Sequence, residues 1–385
     1  MNRLTTSRGG FDLARFPEDP RDPFRAWDAA DEYLLRRLDG GDGDGPVDLS
    51  GAVVVVGDRW GALATALAGH RPVQITDSYL AQRATLANLA RNGLDTGSVR
   101  LLSARSAPPD RADVLLVRVP KSLALLEDQL HRLAPAVHAD TVVIGTGMVK
   151  EIHTSTLKLF ERIIGPTRTS LAVKKARLIL CTPDPALPRV PSPWPRSYDL
   201  PDDVGAVSGR TVTSHAGIFC AEHLDIGTRF FLRHLPERTG PDHVVDLGCG
   251  NGVIGTSAAL ANPEAVVTFI DESYQAVASA EMTFRASTGA DAKADFVVGD
   301  ALTGVPPGSV DLVLANPPFH THQAITDATA RSMFHGARAA LRPGGELWVV
   351  GNRHLGYHTR LRRTFGNCTT VAGDPKFVVL RAFKR

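Results

Sequence analysis

Cysteine is scarce in this chain: among 385 residues only Cys181, Cys220, Cys249 and Cys368 carry thiols. No two form a C-x-x-C pair and no histidine stands at zinc-ligand spacing beside them, so neither a structural metal site nor a disulfide framework is expected. Long apolar runs are missing as well. Without a stretch of about 18 apolar residues there is no candidate membrane-spanning helix. The segment MNRLTTSRGGFDLARF has no apolar core after its arginines, so no secretion signal is read there and a cytoplasmic location with reduced thiols is expected. No heptad repeat asks for a partner helix, so a monomer is expected. Net charge is small too, only +2. That is too little to announce a polyanionic partner on its own.

The distribution of charge says more than its sum. Residues 1–198 carry 26 basic against 22 acidic side chains, leaving 17 against 19 for residues 199–385. Within the first half, Lys150, Lys158, Arg162, Arg168, Lys174, Lys175 and Arg177 face only Glu151 and Glu161. This cluster, and Lys174, Lys175 and Arg177 above all, is a candidate face for phosphates, the alternative being a solvated surface.

A length of 385 residues with 43% hydrophobic content suits two domains with ordinary cores. The stretch Thr182 to Pro195 (TPDPALPRVPSPWP) cannot continue a helix or a central strand and marks the boundary. We therefore divide the chain into 1–195 and 196–385. On each side short β-branched runs alternate with helical patterns, as in parallel sheets flanked by helices. The runs of the first half are AVVVVG (52–57), VQIT (73–76), DVLLVRV (113–119) and TVVIG (141–145). In the second half they are HVVDLG (243–248), VVTFID (266–271), DFVVGD (295–300), DLVLANP (311–317), ELWVVG (346–351) and FVVLRAF (377–383). The two series align. Gly57-Asp58-Arg59-Trp60-Gly61 falls against Gly248-Cys249-Gly250-Asn251-Gly252, Asp77 against Asp271, and Val117-Arg118-Val119-Pro120 against Ala315-Asn316-Pro317-Pro318. An internal duplication of a doubly wound α/β domain explains this, with the chemical residues kept only in the second copy.

The run Asp246 to Gly252 follows an apolar strand and opens a helical pattern, so its glycines let backbone approach a ligand at a helix N-terminus. A dinucleotide loop uses the same elements. Against that reading, the glycines here run G-x-G-x-G, no second dinucleotide half appears, and the strand ends in Asp246. A carboxylate there repels a pyrophosphate but suits an ammonium group, which favours S-adenosylmethionine. Gly248, Cys249, Gly250 and Asn251 form the expected cradle. Asp271, with Glu272 beside it, ends the next strand, where it can accept from ribose hydroxyls or else cap the following helix. Asp300 and Ala301 end the third and are expected at the adenine ring.

Asn316-Pro317-Pro318-Phe319 follows the fourth strand, DLVLA. An amine conjugated to an aromatic ring has a delocalised lone pair and must be aimed at the methyl group it receives. The Asn316 amide oxygen and the Pro317 carbonyl can accept its two hydrogens, the Pro-Pro step fixes their direction, and Phe319 can stack on the base. His320 and His322 are read as shaping the pocket.

With these motifs in place the chain resembles the RlmG/RsmC family of ribosomal RNA guanine methyltransferases, and within it RlmG, which acts on the large subunit. The resemblance is carried by GIFCAEHLDIGTRFFLRHLP (217–236), DLGCGNGVIG, NPPFHTHQAITD, NRHLGYHTRLRRTFGNCTT and KFVVLRAFK, and more weakly by VPKSLALLEDQL and GPTRTSLAVKKARL. It implies two tandem Rossmann-like class I methyltransferase domains, the N-terminal one degenerate and serving RNA recognition, the C-terminal one binding S-adenosylmethionine. It implies methylation of a guanine exocyclic amine in ribosomal RNA, expected to be 23S. By the same resemblance Asp225, Gly227 and Thr228 lie over the cofactor, Phe219 joins the base pocket, and Arg118 and Lys121 suit phosphate. Trp60 would obstruct a cofactor pocket in the first half. Cys220-Ala221-Glu222-His223 departs from the family pattern. The hairpin CTTVAGDPKFVVLRAF is expected to supply a reversed edge strand. A 16S rRNA guanine, a DNA adenine or a protein glutamine remain alternative acceptors, and a non-catalytic RNA-binding factor remains an alternative of another class.

Overall fold

The computed structural model describes residues 3–19, 22–41, 43, 45–318 and 323–385, with the backbone alone for 323–328. By its internal contacts the chain forms two compact units, Met1–Pro193 and Trp194–Arg385.

The first unit opens with a hairpin of β1 (Arg3–Thr6) and β2 (Gly9–Asp12), followed by α1 (Ala29–Leu38). Then come β3 (Val53–Val56), α2 (Ala62–Ala66), β4 (Val73–Thr76), α3 (Tyr79–Arg91), β5 (Arg100–Ser103) and β6 (Ala112–Arg118). The unit closes with α4 (Leu123–Leu133), β7 (Val137–Met148), α5 (Thr154–Ile163), β8 (Thr167–Thr169) and β9 (Ala176–Cys181). The second unit begins with a hairpin of β10 (Arg196–Asp199) and β11 (Thr211–Ser214) and with α6 (Ile226–Leu232). It continues through β12 (His243–Leu247), α7 (Val253–Ala261), β13 (Val266–Asp271), α8 (Tyr274–Ser287), β14 (Lys293–Val298) and β15 (Val310–Ala315). Its last elements are α9 (Gln323–Ala340), β16 (Leu341–Asn352), α10 (Tyr357–Phe365), β17 (Thr369–Gly373) and β18 (Phe377–Phe383).

Each unit carries a seven-stranded sheet, and the two have the same strand order: β5-β4-β3-β6-β7-β9-β8 and β14-β13-β12-β15-β16-β18-β17. In both, five parallel strands are followed by an antiparallel hairpin. The topology matches strand for strand, as the aligned motifs require of a duplication. One detail differs from the sequence reading. The reversed strand β18 lies inside the sheet between β16 and β17, and β17 is the edge. The first half also holds β5, β8 and β9, which the sequence reading passed over because RLLS and TRT are short and Arg177 interrupts the apolar run of ARLILC.

Parallel strands buried on both faces read as continuous apolar runs, which is why VVVV forms β3. Alternate residues divide between two layers. Val53, Val55, Val114 and Leu116 join one core, and Val54, Val56, Leu115 and Val117 the other. In the second unit Val244, Leu312 and Leu314 pack on one side while Val245, Leu247, Val313 and Ala315 pack on the other. Phe269, fully buried, stacks on Phe296 at 5.1 Å and meets Phe284 edge-on at 5.4 Å. These layers leave the carboxyl edge of the sheet free to carry polar groups.

Candidate functional site

The strand register of the second unit fixes the geometry of that edge. Leu247 of β12 is level with Ile270 of β13 and with Ala315 of β15. The next residues, Gly248, Asp271 and Asn316, therefore end three adjacent parallel strands side by side. Asp271 is level with Val298, so Asp300 and Ala301 follow one strand further out.

The turn from β12 to α7 needs its glycines. Gly248, Gly250 and Gly252 have φ of +73°, +54° and +75°, which L side chains rarely adopt. A Cβ on Gly252 would lie 2.7 Å from the backbone of Ala280, so this glycine lets α7 approach α8. A Cβ on Gly250 would meet nothing within 4 Å. That glycine instead faces open space, as a ligand cradle should. Cys249 is buried, and Asn251 donates through Nδ2 to the Tyr198 hydroxyl at 3.4 Å.

Asp271 Oδ2 accepts the Gly250 N–H at 3.0 Å, and Oδ1 accepts that of Ser273 at 3.0 Å. The helix α8 is capped by Ser273, whose hydroxyl accepts from Ala276. The capping alternative for Asp271 thus falls away. Each of its carboxylate oxygens is anchored while keeping a lone pair for a further donor.

Asp246 requires a correction. Its side chain is 1% exposed and Oδ2 accepts the Gly255 N–H at 2.7 Å, so it braces the turn from beneath instead of lining its open side. Burial pushes its carboxyl up to about 8, nearby Asp271 adding to the rise and the Gly255 N–H opposing it. Burial also raises Asp271 and Asp300. Among the described residues, no cation belongs to the groups acting on these three carboxylates. Ala301 has φ of +49°, strained for a residue other than glycine.

Asn316 is half-buried. Its Nδ2 donates to the Thr228 hydroxyl at 2.9 Å, and its Oδ1 is shielded from solvent with no hydrogen-bond partner among the described residues. Asp225 caps α6, accepting the Thr228 N–H at 2.8 Å, and Gly227 is buried between them. Pro317 is buried and Pro318 exposed. Phe319, His320 and His322 lie outside the described residues. Phe219 is 52% exposed, and its neighbour Cys220 has φ of +50°.

The first unit folds the same way at its corresponding edge but fills it with its own side chains. Asp58 is buried and accepts from the N–H groups of Ala62 and Ala64, the donors that an anionic ligand at α2 would use. Arg59 stands opposite Gly250, and Trp60, half-buried, lies under the Arg15 guanidinium. Arg118 is the second correction. It occupies the place of Asn316, but it is 1% exposed and pairs with Asp28 at 2.6 Å, Glu151 at 3.1 Å and Asp31 at 3.4 Å. A guanidinium surrounded by three carboxylates inside the unit is not available to phosphate. Burial alone would raise the Glu151 carboxyl, yet Arg118 and Arg59 hold it at about 2. Lys121 is exposed. Lys174 and Lys175 are exposed on a turn with φ of +48° and +63°, Lys174 pairing with Glu32 at 2.9 Å, and Arg177 is half-buried on β9.

A further basic surface was missed in the sequence reading. From Leu347 to Gly373 there is no acidic residue, while Arg353, Arg360, Arg362 and Arg363 fall within it. In α10, Tyr357, Leu361 and Phe365 are buried at helical spacing, so His358, Arg362 and Arg363 face outward. This helix follows β16, which pairs directly with β15. The basic face therefore begins one strand from Asn316. The acid-free run was the available signal, hidden by the negative total of the second half.

The raised carboxyl of Asp246 has a signed consequence. Between about pH 4 and about pH 8 the folded protein keeps a proton that the unfolded chain has released. The stability this group contributes is present below that window and is lost as pH rises through it. Asp246→Asn, which keeps an acceptor for Gly255, should flatten the decline of the unfolding midpoint from pH 5 to pH 8. An unchanged pH slope in thermal unfolding of the variant would remove Asp246 as its origin.

Residues 1–185 match the family described as RLMG N-terminal domain, and residues 209–381 that described as Methyltransferase small domain. A protein of Streptomyces griseus named Ribosomal RNA large subunit methyltransferase G is 78% identical over 385 residues, covering all of both chains. One of the same name from Aeromonas hydrophila is 47% identical, covering 99% of each. Among solved structures, the T. thermophilus 16S rRNA N2 G1207 methyltransferase (RsmC), in complex with AdoMet and guanosine, matches with a TM-score of 0.75 at 24% identity. It spans 100% of this chain and 97% of its own, and that likeness bears on the fold. The resemblance to RlmG read from the motifs is borne out: the chain belongs to the ribosomal RNA large subunit methyltransferase G family.

Proposed function

We propose that this protein transfers a methyl group from S-adenosylmethionine to the exocyclic N2 amine of a guanine in 23S ribosomal RNA, working as a monomer in the cytoplasm. The observation that carries the reading is the Asn316 Oδ1, an acceptor without a partner among the described residues, beside an open glycine turn. Buried polar groups are rarely left unpaired, and an amine hydrogen is the partner this oxygen lacks.

The residues fit the donor. Gly250 faces open space, and the turn spanning Gly248 to Asn251 can follow the donor's methionine part closely. Asp271, with both oxygens anchored, is positioned for the ribose hydroxyls. Glu272 lies beside it, and Asp300 with Ala301 stands where the adenine would lie. A cationic donor would favour the ionised forms of the buried Asp246 and Asp271, and among the described residues no cation acts on either. When bound, the donor supplies an electrophilic methyl group on a sulfonium.

The remaining work falls to the chain's own groups. Guanine N2 shares its lone pair with the ring, so reaction needs the amine held in one orientation. Asn316 Oδ1 and the Pro317 carbonyl accept its hydrogens, and the rigid Pro317-Pro318 step fixes the backbone that carries them. Phe319 and the exposed Phe219 supply the base with apolar contact. Residues 196–385 form the catalytic part. Within 1–195, Lys121, Lys174, Lys175 and Arg177 contact RNA phosphates, and Arg362 and Arg363 do so beside the active site.

The direct test incubates the protein with labelled donor and separately with 23S rRNA, 16S rRNA, DNA and a protein fraction, followed by nucleoside mass spectrometry. N2-methylguanosine in 23S rRNA alone is expected, and label in any other fraction instead would replace the acceptor. Asn316→Ala should lower kcat by about 10²-fold, the order expected when a reacting group is misplaced by ~1 Å, with donor affinity unchanged by calorimetry. Full turnover in that variant would remove Asn316 from the reaction. Replacing Arg362 and Arg363 with Ala should weaken RNA binding and reduce the slope of log affinity against log salt by about 0.7–0.9 for each lost phosphate contact. A slope equal to wild type would make α10 an ordinary solvated face.

A further inference from the structure

Asn316 presents a side chain with two unlike ends, an oxygen that accepts and a nitrogen that donates. Only one orientation serves an amine. With the amide reversed, two N–H groups would meet the two hydrogens of the substrate nitrogen. Neither the strand β15 nor the Pro-Pro step distinguishes the two orientations, because they fix the backbone and leave rotation about the last side-chain bond open.

The structure contains groups that can make this choice. Thr228 Oγ1 lies 2.9 Å from Asn316 Nδ2 and 3.3 Å from Asp225 Oδ2. Asp225 Oδ2 also accepts the Thr228 N–H at 2.8 Å, which holds the carboxylate in place as the cap of α6. A carboxylate has no hydrogen to give, so the Thr228 hydroxyl must direct its single hydrogen at Asp225. The lone pairs of Oγ1 then point toward Asn316, and only the amide nitrogen can answer them. The amide oxygen is thereby turned to the side where it has no partner among the described residues. Thr228 is 6% exposed, so water does not compete for its hydroxyl.

We infer that Asp225 and Thr228 form a hydrogen-bond relay that sets which way the Asn316 amide faces, making Thr228 a positioning residue for methyl transfer. This rests on the reading that Asn316 Oδ1 receives the acceptor amine. Threonine does here what no apolar residue of its shape can do: it transmits the acceptor-only character of a carboxylate one bond further. The same carboxylate caps α6, so helix placement and amide orientation depend on one side chain.

The test compares Thr228→Val, which keeps the shape and removes the hydroxyl, with Thr228→Ser, which keeps the hydroxyl. Donor affinity and thermal midpoint are measured for each, together with kcat and KM on the RNA substrate. The relay predicts that Thr228→Val loses about 10-fold or more in kcat, with KM for RNA and the thermal midpoint close to wild type, and that Thr228→Ser returns most of the rate. Asp225→Asn retains a cap of equal quality on α6 but can donate to Oγ1, so its kcat should also fall while its midpoint holds. If Thr228→Val keeps the wild-type kcat while Asn316→Ala is slow, the relay is wrong and the role of Asn316 stands. If Asn316→Ala is also fast, the failure lies in the reading of Asn316 itself. A loss confined to KM or to the thermal midpoint in Thr228→Val would assign the residue to binding or packing and overturn the relay.

Discussion

Everything at the site depends on three parallel strands ending at the same level. Hydrogen bonding between β12, β13 and β15 holds Gly248, Asp271 and Asn316 side by side, although they lie far apart in sequence. The buried layers on both faces of the sheet make this register costly to shift, since a slip of one residue would turn apolar side chains out of their layer. The backbone turn, the Asp271 carboxylate and the Asn316 amide are thus placed by the hydrogen bonds of the sheet itself. The rigidity of the sheet is what allows loops at its edge to carry chemistry.

The two units show how little separates an open edge from a closed one. Both have the same strand order, and Gly57 and Gly61 share the φ values of Gly248 and Gly252 almost to the degree. The difference lies in what fills the turn. Asp58 satisfies the helix donors from within, Arg59 replaces the one glycine that faces open space, and Arg118 replaces the amide. Charges that would otherwise need a ligand are balanced inside the unit. In the second unit Asp246, Asp271 and Asp300 have no such balance, and burial raises all three.

Much of this was legible in the sequence. The duplication, the parallel strands, the glycine turn and the Asn-Pro-Pro step follow from periodicity and spacing, and the strand register converts them into a site without adjustment. The failures have physical reasons. The expectation that Arg118 suits phosphate rests on its place in the aligned motif and on its guanidinium, whereas only the fold brings Asp28, Asp31 and Glu151 around it from distant segments. Asp246 was read as touching an ammonium because its proximity to the turn was visible while its direction was not. The partnership of Thr228 with Asn316, 88 residues apart, leaves no trace in local pattern. The basic face of α10 was legible in principle, but a total over the whole half concealed it.

The closed edge of the first unit bears on how such a chain can change. Reopening it would require Asp58, Arg59 and Arg118 to be exchanged along with the acids that surround the last of them. Arg118 is the buried member of that set, and removing one partner of a buried ion pair leaves a stranded charge at a cost of about 3–5 kcal/mol. Converting the closed edge into an open one therefore needs concerted exchange, because the same pairing that seals the first unit also holds it together.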